Sequence, residues 1–277
     1  MVPIKVIFLF YLFFFITFYF ITKYRIFWIH KNLEIIRWRR DNLINIHGGA
    51  VIAGVLYAIL CNNVLSYVIL TSLWCISYYD DVKYVSPNTR LAVHFICAFY
   101  FVLYAGISST LYGWFYIFFI VSMINGFNFI DNMNALCSGV SVVIAISLGL
   151  ILVDSGLLFL GLIPLPIFIF FNLKYGLRLG DNGAVCLGFV LSSVAIHLPF
   201  VVVFLVFFIP IIDFVFVIIR RLVEGRIPWE GSTDHLSHIL ARKIGETWAV
   251  LSLITINLLT AFIAYSVSYP RLKLLGL

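Results

Sequence analysis

The chain has 277 residues, of which 63% are hydrophobic and only 11% charged, and its mean hydropathy is +1.10. This composition lies far outside that of soluble globular domains and identifies a polytopic membrane protein. The formal net charge of +6 is dispersed over short loops between apolar runs, without the basic stripe and interleaved aromatics of a nucleic-acid binder, so membrane topology accounts for it and no nucleic-acid partner is expected.

Several apolar runs approach or exceed the ~20 residues that cross a bilayer, which leaves no room for a separate soluble domain. Residues 1–277 therefore read as a single transmembrane domain, an all-α polytopic helical bundle. Residues 3 to 22 are a continuous apolar and aromatic run, too long for a signal-peptide core and without a small-residue cleavage site before Lys23, so they read as a retained transmembrane helix. Lys23, Arg25, Lys31, Arg37, Arg39 and Arg40 follow it, against Lys5 alone before it, which puts the N-terminus outside and the basic loop in the cytoplasm. Residues 50 to 79 are interrupted by Asn62 and Asn63 and read as a tight hairpin that returns Asp80 and Asp81 to the cytoplasm.

The remaining crossings are expected at 91–106, 111–128, 138–153, 157–173, 183–197, 200–219 and 246–266, with a kink at Pro164 and Pro166. The sum is about ten helices with both termini outside and cytoplasmic loops at about 23–49, 80–90, 129–138, 174–182 and 220–245. The five cysteines are odd in number, form no C-x-x-C pair and mostly lie inside apolar runs, so they read as membrane-packing residues.

In this topology only Asp154 of the twelve acidic residues lies outside. Acids contribute little to orienting a membrane protein, so their one-sided collection points to a cation-dependent site on the cytoplasmic face. Asp80 and Asp81 sit at the C-terminal end of a helix, where the macrodipole disfavours carboxylates and a compensating cation is needed. Asn125, Asn128 and Asp131 recur every three residues and share one helix face, and such a polar stripe leaving a membrane-grade segment marks a site. Gly180-Asp181-Asn182-Gly183 opens a helix, where free amides favour an anion and Asp181 can hold a divalent metal beside it; an ordinary turn with an Asp or Asn cap explains the same residues.

Asp213, three residues after Pro210 inside an apolar run, should face the bundle interior, either as the partner of a basic side chain or as part of a site. Arg220, Arg221, Arg226, Asp234, His235 and His238 follow in the last loop, with the two histidines on one face if that part is helical, and together they make an anion-binding cluster. Zinc is the alternative there, but no cysteine or third histidine is near. There is no G-x-x-x-x-G-K-[ST], G-x-S-x-G or H-E-x-x-H motif. Carboxylates, amides, arginines and histidines on one membrane face suit magnesium-assisted phosphoryl transfer.

These motifs resemble those of the polyprenyl-phosphate N-acetylhexosamine-1-phosphate transferases, the membrane family that includes the peptidoglycan lipid I synthase and the enzymes that initiate O-antigen and teichoic acid chains. Asp80-Asp81 followed by Arg90-Leu91 resembles the family's D-D…R-L block, and Asn125, Asn128 and Asp131 its N-x-x-N-x-x-D. Asn172 with Gly180-Asp181-x-Gly183 resembles F-N…G-D-x-G, while Pro210, Asp213, Arg221, Gly225, Asp234, His235 and His238 resemble P-x-x-D…R…G…D-H-x-x-H. His47-Gly48-Gly49 sits where a G-G block follows the first cytoplasmic loop.

The resemblance implies transfer of a sugar-1-phosphate from a UDP-sugar to undecaprenyl phosphate at the cytoplasmic face of the bacterial inner membrane, with Mg²⁺ (or Mn²⁺ in its place) and release of UMP. It assigns the metal to Asp181 and Asp80, and catalytic roles to Asp80, Asp81 and Asp131. Substrate contacts fall to Asn125, Asn128, Asn172, Arg90, Arg221, Arg226, His235 and His238. The implied partners are undecaprenyl phosphate, a UDP-sugar and membrane lipid, with a homodimer open.

Four positions depart from the family pattern: Asn132 and Ala184 replace a Gly and a Ser, His94 stands at the R-L-x-x-Gln position, and Arg178 occupies the place of an aromatic that stacks on uracil in the peptidoglycan enzyme. The last loop lacks the consecutive histidines of the peptidoglycan enzyme and the chain is short, which favours a polysaccharide-initiating member, of the O-antigen and lipopolysaccharide type, over the peptidoglycan one. The alternative from another class is a transporter or flippase for a lipid-linked or anionic solute, which predicts acids and bases near mid-bilayer and on both faces.

Overall fold

Runs this apolar can satisfy their backbone in a bilayer only by folding into helices or closed barrels, and the computed structural model is helical throughout its long elements. It describes residues 29–30, 43–44, 64–83, 85–107, 111–228 and 235–274. The expected crossing at 3–22, the first half of the 50–79 hairpin, His47-Gly48-Gly49 and Asp234 lie outside the described residues, as does the side chain of Asp81.

One feature departs from the all-helical expectation. The strands β1 (Ile29–His30) and β2 (Leu43–Ile44) pair antiparallel within the basic N-terminal loop, Ile29 opposite Ile44 and His30 opposite Leu43.

The helices then follow the apolar runs. They are α1 (Val64–Val82), α2 (Pro87–Tyr104), α3 (Leu111–Ile130), α4 (Leu136–Leu152), α5 (Ser155–Leu162), α6 (Pro164–Tyr175), α7 (Gly180–Val194), α8 (Phe200–Val206), α9 (Phe208–Val223), α10 (Leu236–Ile244) and α11 (Glu246–Leu274). Helix α1 is described from Val64 onward and ends at Val82, so that Asp80 lies in its last turn. The expected kink falls at Ile163, just before Pro164, and separates α5 from α6. Among the described residues Leu111–Ile130, Ser155–Lys174 and Glu246–Ser268 are long and apolar enough to cross a bilayer.

Helix α3 is the centre of the bundle, packed by α7, α9 and α2. Its contact with α7 is backbone-close at Gly188: a Cβ there would lie 2.7 Å from the Met123 carbonyl oxygen and 2.9 Å from the Ile124 Cα. Any larger residue would push the two helices apart, and with them the polar residues near their ends.

The run at 200–219, expected as one straight crossing, is broken. Helices α8 and α9 meet at Phe207 with a bend of 85°. The cause is Pro210, which has no N–H to give the Val206 carbonyl and whose ring would clash with it. The orphaned groups are recovered by Asn257 of α11, fully buried. Its Nδ2 donates to the Val206 carbonyl (3.3 Å) and its Oδ1 accepts from the Ile209 N–H (3.1 Å). Replacing Asn257 by Leu should therefore leave one donor and one acceptor unpaired and lower stability by about 1–3 kcal/mol. Thermal unfolding in detergent measures this; an unchanged midpoint would mean the break is held by something else.

Candidate functional site

The site begins where α1 ends. Asp80 lies in the last turn of α1, and its Oδ1 accepts from the Val85 N–H (2.8 Å), closing the turn into α2. Helix α2 is started by Ser86, whose Oγ accepts from the Thr89 N–H (3.1 Å), with Pro87 in its first turn. This start aims Arg90 back at Asp80. The guanidinium Nη1 donates to Asp80 Oδ2 (2.6 Å) and lies 3.4 Å from Asp181 Oδ2. Arg90 is thus the cation that a carboxylate at a helix C-terminus needs. Asp181 occupies the favourable end of its own helix, the first turn of α7, after Gly180 at φ +72°.

Arg90 and Asp181 of this Asp80–Arg90–Asp181 bridge line a cavity of about 270 Å³ whose other polar lining comes from Ser77, His94, Ser122, Asn125 and Asn128; Asp80 holds Arg90 but is not part of that lining. Leu91, Phe95, Phe118, Phe129 and Phe214 form apolar walls. Asn125 donates through Nδ2 to the Val121 carbonyl (2.8 Å) and lies 3.3 Å from His94 Nδ1.

The stripe Asn125, Asn128, Asp131 does not stay on one surface. Helix α3 ends at Ile130, and Asp131 turns away to line a second cavity of about 160 Å³ with Asn132, Asn134, Asn172, Arg178 and Glu246. A third, of about 440 Å³, adjoins it through Asn132, Met133 and Glu246 and adds His238 and Arg242.

Asn172 has its amide committed to the scaffold. Its Oδ1 accepts from the Ala135 N–H (2.7 Å) and its Nδ2 donates to the Leu177 carbonyl (2.6 Å). It ties the α3–α4 turn, including Ala135 held at φ +61°, to the turn before α7. The left-handed conformation is costly for a residue with a Cβ, and this clamp holds it in place.

The last-loop residues assemble around α9. Asp213, 2% exposed, accepts from His235 Nδ1 (2.9 Å) and from the Leu236 N–H (2.8 Å), so it both orients His235 and caps α10. His235 stands at the cap position and His238 in the first turn of α10, their ring centroids 6.0 Å apart. Ser237 Oγ donates to Asn132 Oδ1 (2.9 Å), linking this helix to the α3–α4 turn. Arg221 is buried: its Nη1 donates to the Pro228 carbonyl (2.5 Å) and its guanidinium lies 5.1 Å from the Phe129 ring centre. Arg226 pairs with Glu224 at 2.8 Å.

Burial, with His235 and Arg242 nearby, holds the His238 imidazole below the ordinary value of 6.5. The unfolded chain then takes up a proton near pH 6.5 that the folded chain refuses, so this group's contribution to stability declines as pH falls below 6.5. His238→Gln should flatten the acid side of a plot of unfolding midpoint against pH.

Among the described residues no three His, Cys, Asp or Glu side chains converge on one point. Magnesium takes one or two carboxylates and completes its shell with waters and substrate phosphates. Asp80 and Asp181, brought to one guanidinium, fit as those two hard oxygen donors.

His94, Ser77 and Ser122 in the first cavity and Asn132, Glu246 and Arg242 in the others were not singled out as site residues from the sequence. His94 and Glu246 carried a signal, the first as an ionisable residue within an apolar run and the second as one of the one-sided acids.

Residues 63–199 match glycosyl transferase family 4. That span holds Asp80, Arg90, Asn125, Asn128, Asp131, Asn172 and Asp181 and ends before Asp213 and the last loop. Over 200 residues the chain is 28% identical to the undecaprenyl-phosphate alpha-N-acetylglucosaminyl 1-phosphate transferase of Thermotoga maritima. The alignment covers 68% of this chain and 65% of that relative, just under two thirds of its length.

Proposed function

From the match of residues 63–199 to glycosyl transferase family 4, we propose that the chain is a member of that family, transfers a sugar-1-phosphate from a UDP-sugar to undecaprenyl phosphate, releases UMP and so initiates a cell-surface polysaccharide. The observation that carries this reading is a cavity lined by Arg90 and Asp181, with Asp80 paired to that arginine, whose remaining polar lining consists of hydroxyls, amides and one imidazole. The sugar is an N-acetylhexosamine or a deoxy derivative. The active site faces the cytoplasm of a bacterial inner membrane crossed about ten times, with both termini outside.

An oxygen of the lipid phosphate attacks the sugar-bearing phosphorus of the UDP-sugar. A new P–O bond forms, the P–O bond to the UMP phosphate breaks, and UMP leaves with the electron pair. A phosphate monoester has its second pKa near ~6 and is largely dianionic at neutral pH, so the attack needs no general base. Arg90 supplies positive charge at the cavity wall, and Asn125 and Asn128 line the same space. Asp80 and Asp181 are the residues that would hold a magnesium ion, which would supply positive charge toward the pyrophosphate. Asp131, Asn132 and Arg178 line the neighbouring cavity, which is assigned to the nucleotide sugar.

A two-step route with Asp80, Asp81 or Asp131 as nucleophile is the competing mechanism. The dianionic lipid phosphate attacks without such an intermediate. Labelled UDP-sugar without lipid acceptor should therefore leave no phosphorylated protein; recovery of a labelled aspartyl phosphate would favour the two-step route.

The test of function is UMP release by purified membranes given undecaprenyl phosphate and a panel of UDP-sugars, with and without Mg²⁺. Metal-dependent UMP release with at least one sugar is expected. None with any sugar would favour a transporter or flippase.

A further inference from the structure

We propose that His94 is a fixed hydrogen-bond donor to a phosphate oxygen of the substrate, locked in its donor form by Asn125. The inference rests on the transferase reading above and adds a residue to it.

The lock follows from which atoms can donate. A backbone carbonyl can only accept, so the Asn125 atom 2.8 Å from the Val121 oxygen must be the amide nitrogen Nδ2. The same nitrogen lies 3.3 Å from His94 Nδ1. Two N–H groups on one nitrogen serve both contacts, so His94 Nδ1 must accept there. A neutral imidazole that accepts at Nδ1 carries its proton on Nε2. Asn125 therefore fixes the tautomer, as hydrogen bonds to one ring nitrogen generally do for the other.

Among the described residues the Nε2–H so produced has no partner. His94 is 3% exposed, it lines the first cavity, and its Nε2 is buried without a hydrogen bond. Buried donors are nearly always satisfied, and one that is not calls for a ligand or another explanation. The cavity says which ligand: Arg90, Asn128, Ser77 and Ser122 are further donors lining it, and Asp181 is its one carboxylate. Such a space fits a group made of acceptor oxygens, a phosphate above all. Arg90 is one helical turn before His94 on α2, so guanidinium and imidazole N–H can serve one anion. Asn125 then acts through His94 as a positioning residue.

The phosphate has two sources, the lipid acceptor and the UDP-sugar, and one experiment separates them. The full-length protein in nanodiscs is labelled with ¹⁵N in its histidine rings, and His94 is assigned by loss of its signals in His94→Gln. The expected result is a neutral ring protonated at Nε2, whose Nε2 resonance shifts with undecaprenyl phosphate alone or with UDP-sugar alone; the arm that shifts identifies the phosphate.

In the transfer assay His94→Leu should lower kcat/KM about 10- to 100-fold. His94→Gln, which can accept from Asn125 and still donate, should stay within about threefold of the parent. Combining His94→Leu with Asn125→Leu should cost little more than His94→Leu alone. A ring protonated at Nδ1, or an Nε2 signal unmoved by either ligand in a protein that turns over, overturns the assignment, as does an unimpaired His94→Leu. A protein that turns over no UDP-sugar while Nε2 still shifts with lipid phosphate would sink the transferase reading and leave the donor assignment standing.

Discussion

Asp181→Asn is expected to lower turnover about 10²- to 10³-fold while the protein stays folded, the range found when one preorganised electrostatic contact to a reacting group is removed. The substitution is nearly isosteric. An amide oxygen at position 181 can still accept from Arg90, whose stronger contact is with Asp80 at 2.6 Å against 3.4 Å. The first turn of α7 tolerates Asn as well as Asp. What disappears is one of the two negative charges that meet at Arg90, and with it half of the carboxylate pair offered to a divalent ion. Initial rates across a Mg²⁺ titration, beside a thermal unfolding curve, separate the two effects. A mutant as active as the parent would remove Asp181 from the site.

Arg90→Gln is expected to cost about 2 kcal/mol of stability in the absence of divalent ions, because a charge-assisted hydrogen bond of about 1.5–3 kcal/mol is lost. Both acids are more than three-quarters buried by side chain, so solvent screens the loss only in part. Mg²⁺ should then stabilise the variant more than the parent, since the ion takes over charge neutralisation that Arg90 provides in the parent. Saturation at about 100 times the dissociation constant returns about 2.7 kcal/mol. Unfolding midpoints of both proteins with EDTA and with Mg²⁺ measure this. A variant insensitive to Mg²⁺ would mean the carboxylates do not hold the ion.

Asp131→Asn offers the complementary separation. Asp131 lines the second cavity, whereas Asp181 lines the first. The substitution should raise KM for the UDP-sugar and leave the Mg²⁺ dependence of stability as it is.

The helices were legible because their apolar runs are long and their ends carry Pro, Gly, Asn or charges. The bridge was half legible: Asp80, placed against the dipole of its helix, demanded a cation, and Arg90 ten residues on supplies it. The break at Phe207 was not read, although Pro210 marks the carbonyl that must lose its partner. The compensating residue, Asn257, lies 51 positions beyond Val206 and no local pattern connects the two. Asn172 shows the same limit from the other side, since spacing cannot tell an amide that meets substrate from one that clamps two turns. His94 and Asn125 were each visible, but the bond between them, and the unpartnered nitrogen it creates, exist only in three dimensions.

The most direct test is mass spectrometry of the lipid formed when the purified protein meets undecaprenyl phosphate, Mg²⁺ and a panel of UDP-sugars. The account predicts undecaprenyl diphosphate carrying one sugar, in amounts equal to the UMP released, and its near absence with Asp181→Asn. Unaltered undecaprenyl phosphate with every sugar would contradict it.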